Sequence, residues 1–235
     1  MIDVGNAAAV PDVLVDVGDN GVSGGIIIRD ASDGAVISLN GEDGTVTIGT
    51  GKGAGGRLVL RGDKNGPVVI FDGATGSMRF FNKQLVETMV IDAVAGDIRL
   101  LGADAAEDFD VAVAGEPGAV MCLDDTGKVR PCEIAYDTRV AGVVSGAGRF
   151  RPALRLDRRS THTDRQPLAM MGKVDCLVNA EDAPIRVGDL LTTSSVLGHA
   201  MAASDAHRAH GAVIGKSLGS IDRGRGLVPV LVSLR

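Results

Sequence analysis

Ile26-Ile27-Ile28-Arg29, followed by Asp33-Gly34, Val36, Leu39, Gly41 and Gly44, returns in the same order as Leu58-Val59-Leu60-Arg61 with Asn65-Gly66, Val68, Phe71, Gly73 and Gly76. A shorter copy follows, in which Ile91-Asp92-Ala93-Val94-Ala95-Gly96-Asp97-Ile98-Arg99-Leu100 repeats Phe71-Asp72-Gly73-Ala74-Thr75-Gly76-Ser77-Met78-Arg79-Phe80. Each unit is a short β-branched run closed by Asp-Gly, Asn-Gly or Gly-x-x-Gly. These are the turns in which a positive φ excludes most side chains. A single unit of this kind cannot bury its own apolar face, so the units must stack on one another or on identical chains. Ile26-Ile27-Ile28 and Val68-Val69-Ile70-Phe71 read as apolar on both faces, the pattern of a strand covered from both sides. The expectation is an all-β protein with a repetitive, intertwined, trimeric β-stem, the recurring Gly34, Gly41, Gly66 and Gly73 forming its left-handed corners.

The composition bounds the alternatives. A chain of 235 residues with 45% apolar content can bury a sizeable core. Its 33 glycines are about twice ordinary usage but follow no Gly-X-Y period, which excludes collagen and favours turn-rich β-structure. A net charge of −6 gives no electrostatic footprint for nucleic acid. No window reaches the roughly 18 to 20 apolar residues of a membrane span, so no membrane insertion is expected. The opening Met1-Ile2-Asp3-Val4-Gly5-Asn6 lacks the basic region of a Sec signal. Cys122, Cys132 and Cys176 are odd in number and without Cys-x-x-Cys spacing, so neither a disulfide framework nor a zinc site is expected. They read as reduced, partly buried thiols packing as small hydrophobes.

Taken in order, residues 1–20 read as an N-terminal arm or single strand, 21–102 as the repetitive stem and 103–235 as a compact C-terminal β domain. Asn82 to Val90 has no glycine and reads as a helical turn or two, or an irregular strand. Gly102 to Phe109 reads as a junction in which Asp104 caps a short helix. Beyond Val111, longer strands alternate with the turns Glu116-Pro117-Gly118, Asp124-Asp125-Thr126-Gly127, Ser145-Gly146-Ala147-Gly148 and Pro184 to Asp189, and close with Leu227 to Leu234. The polar, basic stretch from Leu154 to Gln166 reads as an exposed loop.

Several motifs invite a chemical reading and yield to a plainer one. Gly211-Ala212-Val213-Ile214-Gly215-Lys216-Ser217 ends like a phosphate-binding loop but is one residue short, with His210 at the required glycine position. A strand running into a turn is the reading kept. Gly49 to Gly56 lacks a Ser or Thr after Lys52 and reads as a flexible linker. His207 and His210 have metal-like spacing without a third ligand, and Ser204-Asp205-Ala206 reads as the capped start of a single helical turn. No metal and no cofactor is expected. Arg61-Gly62-Asp63 falls at the Arg-turn element of the repeat, where Arg29-Asp30 stands in the first copy. Stacking platforms for glycans use Trp and Tyr; Trp is absent and Tyr136 is the sole tyrosine.

Gly118 to Asp124, Tyr136 to Gly146, Pro167 to Val174, Ile185 to Ser194 and Val213 to Leu218 together resemble the C-terminal β domain that caps phage-type tail fibres and appendages. In its Val140 to Gly146 region the chain is similar to the self-cleaving intramolecular chaperone domain of pre-neck appendage proteins, and the likeness covers about Asp97 to Arg235. The resemblance implies a homotrimeric fibre or spike component of a phage-like or contractile-injection-system particle, whose C-terminal domain registers the trimer. It implies other tail or baseplate proteins and a cell-surface receptor as partners, and a virion-like or extracellular particle reached after cytoplasmic assembly. Two other readings stand beside this structural one. The chain is an autoproteolytic peptidase in which Asp124, Asp125 or Asp137 assists cleavage, or it is a receptor- or glycan-binding fibre tip.

Overall fold

The computed structural model describes residues 2–3, 13–16, 24–29, 35–49, 55–62, 66–159 and 164–234. They are all β but for one short helix, and the chain divides into two compact units, Met1–Leu101 and Gly102–Arg235.

The first unit holds two antiparallel meanders of five strands each. The first comprises β1 (Ile2–Asp3), β2 (Val13–Asp16), β3 (Gly25–Arg29), β4 (Ala35–Asn40) and β5 (Val46–Ile48). The second comprises β6 (Arg57–Arg61), β7 (Pro67–Asp72), β8 (Ser77–Phe81), β9 (Glu87–Asp92) and β10 (Asp97–Leu100). In both, neighbours in sequence are neighbours in the sheet, and the stretch before residue 21 contributes β1 and β2 to the first.

The repeat is therefore a hairpin. At its corner an Asx side chain folds the chain over: Asp72 Oδ1 accepts from the amides of Ala74 and Thr75, Asp92 Oδ1 from those of Val94 and Ala95, and Asn40 Oδ1 from that of Glu42. The left-handed residue is the last of each turn, Gly44, Gly76 and Gly96, at φ 69°, 63° and 70°. This corrects the sequence expectation, since Gly41, Gly66 and Gly73 are not left-handed, and Gly34 lies outside the described residues. Gly41 and Gly73 instead lie close to backbone, each donating its amide at 2.8 Å to the carbonyl of Gly24 or Gly56. Gly66 lies against the side chain of Leu85, whose Cδ2 would be 2.2 Å from an added Cβ.

Asn82 to Val86 is a second kind of corner and not a helical turn. Asn82 Oδ1 accepts from Gln84 and Val86, the Asn82 amide donates to the Val86 carbonyl, and Leu85 takes φ 61° before β9 begins. The Gly49 to Gly56 stretch ends in a bridge between Gly49 and Gly55, with residues 50–54 outside the description.

The second unit is one sheet built on a long strand. Its elements are β11 (Asp104–Asp110), β12 (Val120–Leu123), β13 (Val129–Pro131), β14 (Val140–Val144), β15 (Pro152–Leu156), β16 (Arg165–Asn179), β17 (Leu190–Thr193), β18 (Ala200–Ala202), α1 (Ala206–Ala209), β19 (Val213–Ser217) and β20 (Arg225–Ser233). Strands β16, β18, β17, β19 and β20 pair in that order and β20 returns to β16, which closes a small barrel. Its core packs Val174, Cys176 and Val178 of β16 against Val228, Val230 and Val232 of β20, with Leu191 and Ile214. A second cluster, Met121, Val129, Val144 and Leu168, fills the space under β12 to β14.

Three expectations are corrected here. Asp104 opens strand β11 and caps no helix, because its segment pairs with β16 along its length. The basic stretch lends Leu154–Leu156 to β15 and Arg165–Gln166 to β16, with residues 160–163 outside the description; Arg155 pairs bidentately with Asp108, and Arg165 with Asp157 and Asp110. Cys122 and Cys132 are disulfide-bonded with Cα atoms 5.1 Å apart, and both are wholly buried. The hairpin of β12 and β13 brings them together, a proximity that spacing alone does not reveal. Only Cys176 is free.

Candidate functional site

An extended apolar surface lies on the meanders. In the second sheet the register aligns Leu58, Phe71, Met78, Ile91 and Ile98 in one row, and Leu60, Val69, Phe80, Met89 and Leu100 in the next. Side chains alternate across a strand, so both rows stand on the same face, and every position on it is apolar. In the single chain that face is open: Leu58 is 43% exposed, Leu60 47% and Ile98 62%. The first sheet repeats the arrangement with Ile26, Leu39 and Val46 in one row and Ile28, Ile37 and Ile48 in the next.

The opposite face of the second sheet carries three ion pairs. Arg57 pairs with Asp72, Arg79 with Glu87 and Arg99 with Asp92, each across neighbouring strands. Ile70 and Val90 do lie on this side, and both are buried, at 3% exposure. Arg79 stands between them in the register, with its head group at the Glu87 ion pair. The second sheet thus has one face that carries the ion pairs and its two buried apolar residues, and one whose rows include the exposed Leu58, Leu60, Phe71, Ile98 and Leu100. A groove of about 520 Å³ lined by Val46, Ile48, Leu58, Phe71, Met78 and Ile91 joins the open faces of the two sheets.

Of the acids singled out from the sequence, Asp125 and Asp137 both reach Arg139, while Asp124 is taken up in a turn. Asp124 Oδ1 accepts from the Thr126 hydroxyl and from the amides of Thr126 and Lys128, which closes the β12–β13 turn and holds its carboxyl below the usual range. Asp125 is fully exposed, 3.7 Å from Arg139. Asp137 is buried. Burial opposes its charge, but the side-chain and backbone hydrogen bonds from Arg139 outweigh it, and the carboxyl titrates below its normal value. Its own amide donates to Thr193 Oγ1 at 2.7 Å. Asp124 and Asp137 are thus turn and anchor groups.

A different acid stands out, one not marked in the sequence as a site. Asp104 is 3% exposed and accepts the Ser145 hydroxyl at Oδ2, 2.6 Å away, while Oδ1 has no hydrogen-bond partner among the described residues. Burial pushes this carboxyl above its ordinary range, and the Ser145 bond lowers it only in part. The pair ties β11 to the end of β14 in the interior. No sequence signal marks it, since the two residues are distant in the chain and meet only through β16.

The remaining motifs take the plain reading. Val213–Ser217 is strand β19 with Lys216 exposed, and Asp205 N-caps α1 through the amides of His207 and Arg208. His210 is the C-cap of that helix. Arg61 ends β6 and Asp63 lies outside the described residues. Burial raises the Cys176 thiol to about 12, with Asp175 adding to the effect, so it is inert at neutral pH. Among the described residues no three His, Cys, Asp or Glu side chains converge as a metal site, and no helix is long and apolar enough to cross a membrane.

Comparison with family models, with curated proteins and with solved structures finds no match to this chain.

Proposed function

We propose that this chain is a structural and assembly protein, a homotrimeric fibre or spike component of a phage-like or contractile-injection-system particle, in which the C-terminal β unit keeps three copies in register. The observation that carries the proposal is the open apolar face of the two meanders, set in the second against an opposite face that carries three cross-strand ion pairs. An apolar surface of this extent costs solubility in a lone chain and marks an interaction site. Each half-exposed Leu or Ile on it gains on the order of 1 kcal/mol when covered. Another copy of the chain carries the same rows at the same repeat and fits them without an added design. Packing three such sheets with their apolar faces inward leaves the arginine–carboxylate faces towards water.

Other tail or baseplate proteins and a cell-surface receptor are the partners this role requires, and a particle outside the cell is its setting. The buried Cys122–Cys132 bridge is in keeping with that setting, since disulfides persist in oxidising surroundings. Light scattering on the purified chain tests the reading. A particle of three times the 24.1 kDa chain is expected, and a monodisperse monomer overturns it.

A further inference from the structure

Tyr136, the sole tyrosine of the chain, is held in a backbone conformation that a side chain of its kind rarely adopts, at φ 62°. Such strain persists only where the surroundings over-determine it, and it gathers at functional sites. The surroundings here do over-determine it. The Tyr136 amide donates to the Thr193 carbonyl at 3.1 Å, and Thr193 Oγ1 donates to the Ile134 carbonyl at 2.8 Å. The Tyr136 hydroxyl accepts from the Asp205 amide at 3.0 Å. The guanidinium of Arg208 lies 4.4 Å from the ring centroid and donates to the Ala135 carbonyl.

What this framework positions is one wall of a cavity of about 200 Å³. Asn179, Asp182, Ser204 and Asp205 line it with polar groups beside Met201 and Ala202, Ser204 Oγ standing 3.4 Å from the Tyr136 hydroxyl and Asp205 Oδ1 capping α1. Asn179 is buried, yet among the described residues its amide nitrogen reaches only Ser194 Oγ and its carbonyl oxygen only the Glu181 amide, both at 3.4 Å. Those bonds are long, so the amide keeps donor and acceptor capacity. Asp182 stands exposed at the rim.

We infer that this cavity binds one neutral, hydroxyl-rich sugar ring. Carboxylate, amide and hydroxyl acceptors beside guanidinium and amide donors match a ring of hydroxyls, each of which both donates and accepts, while Met201 and Ala202 offer apolar contact. Charge decides against the alternatives. An anion would meet Asp182 and Asp205, and a cation would meet Arg208. The volume is below the roughly 300 Å³ at which drug-sized sites begin, which limits the occupant to a single ring. The stacking role that the chain lacks in tryptophan is not called on, because Arg208 already covers a face of Tyr136 and the ring acts as a wall.

Saturation-transfer NMR and calorimetry on the full chain, with the methyl glycosides of glucose, galactose, mannose and N-acetylglucosamine as probes, test the inference. Saturable millimolar binding of at least one glycoside is expected, weakened by about tenfold or more in Asp182→Ala and in Arg208→Ala. Asp182→Ala keeps the wild-type melting temperature, because its side chain is exposed, so its loss of binding is not a loss of fold. Absence of binding by all four glycosides overturns the inference, as does unchanged binding in Asp182→Ala or a preference for acetate or methylamine over the sugars. The outcome is independent of how many copies assemble.

Discussion

At Gly96 the ideal Cβ position has no atom within 4 Å, so the glycine is there for its φ of 70° and not for space. Gly96→Val should cost about 1 to 3 kcal/mol, because a β-branched side chain fits the left-handed region worst. Gly96→Asn should be mild by comparison. Thermal melts of the two variants check this, and equal losses would remove the corner from the account of the repeat. Asp104 yields a second prediction, with a sign set by its raised pKa. In acid the carboxyl is neutral in both the folded and unfolded chain. As pH rises above the ordinary carboxylate value, about 3.9, the unfolded chain ionises freely while the folded one resists, so stability falls until the raised folded pKa is passed. Asp104→Asn keeps an acceptor for Ser145 and removes the charge. It should be at least as stable as wild type at pH 7, with an advantage that shrinks towards pH 4. Urea titrations at several pH values measure it, and a variant that loses stability equally at every pH would show the carboxylate to be ionised in place.

The strand is the scale at which the open face has its effect. Ile98 lies on edge strand β10, is largely exposed in the single chain and pairs with Ile91 on the apolar face. Ile98→Glu should leave the fold of one chain intact and disrupt association, because the charge would be buried against another copy without a partner. Val94→Glu, in the exposed turn before it, is the control expected to change nothing. Sedimentation of both variants decides; a trimer in Ile98→Glu as firm as in wild type would place the contact elsewhere. The hairpin repeat itself was legible, since β-branched runs closed by Asx and glycine carry their turn chemistry in the residues. Which glycine turns left-handed was not. Asp72-Gly73-Ala74-Thr75-Gly76 offers two candidates, and only the third copy, with Ala93 where Gly73 stands, distinguishes them. Which face stays open belongs to register and not to composition: Ile70 is buried, while its neighbour Phe71 in the same apolar run is exposed.

For the whole molecule the contrast lies in where each unit finds its core. Gly102–Arg235 closes its barrel on itself around Val174, Cys176, Val230 and Ile214, all fully buried, and a disulfide ties β12 to β13. Met1–Leu101 has among its described residues only Ile70 and Val90 as fully covered apolar side chains. The pairing of Cys122 with Cys132 shows what composition alone hides, because an odd cysteine count says nothing about which two face each other across a hairpin. From this asymmetry follows the last prediction. Residues 102–235 expressed alone should fold and melt cooperatively, whereas residues 1–101 alone should aggregate, since open apolar faces and unpaired strand edges associate without selection. If the C-terminal unit supplies registration, it should also be trimeric by itself, because holding chain ends together raises the effective concentration of the sheets that follow. Light scattering on the two fragments separates the roles. A soluble trimeric 1–101 fragment beside a monomeric 102–235 fragment would transfer registration to the meanders and leave the C-terminal unit with no part in assembly.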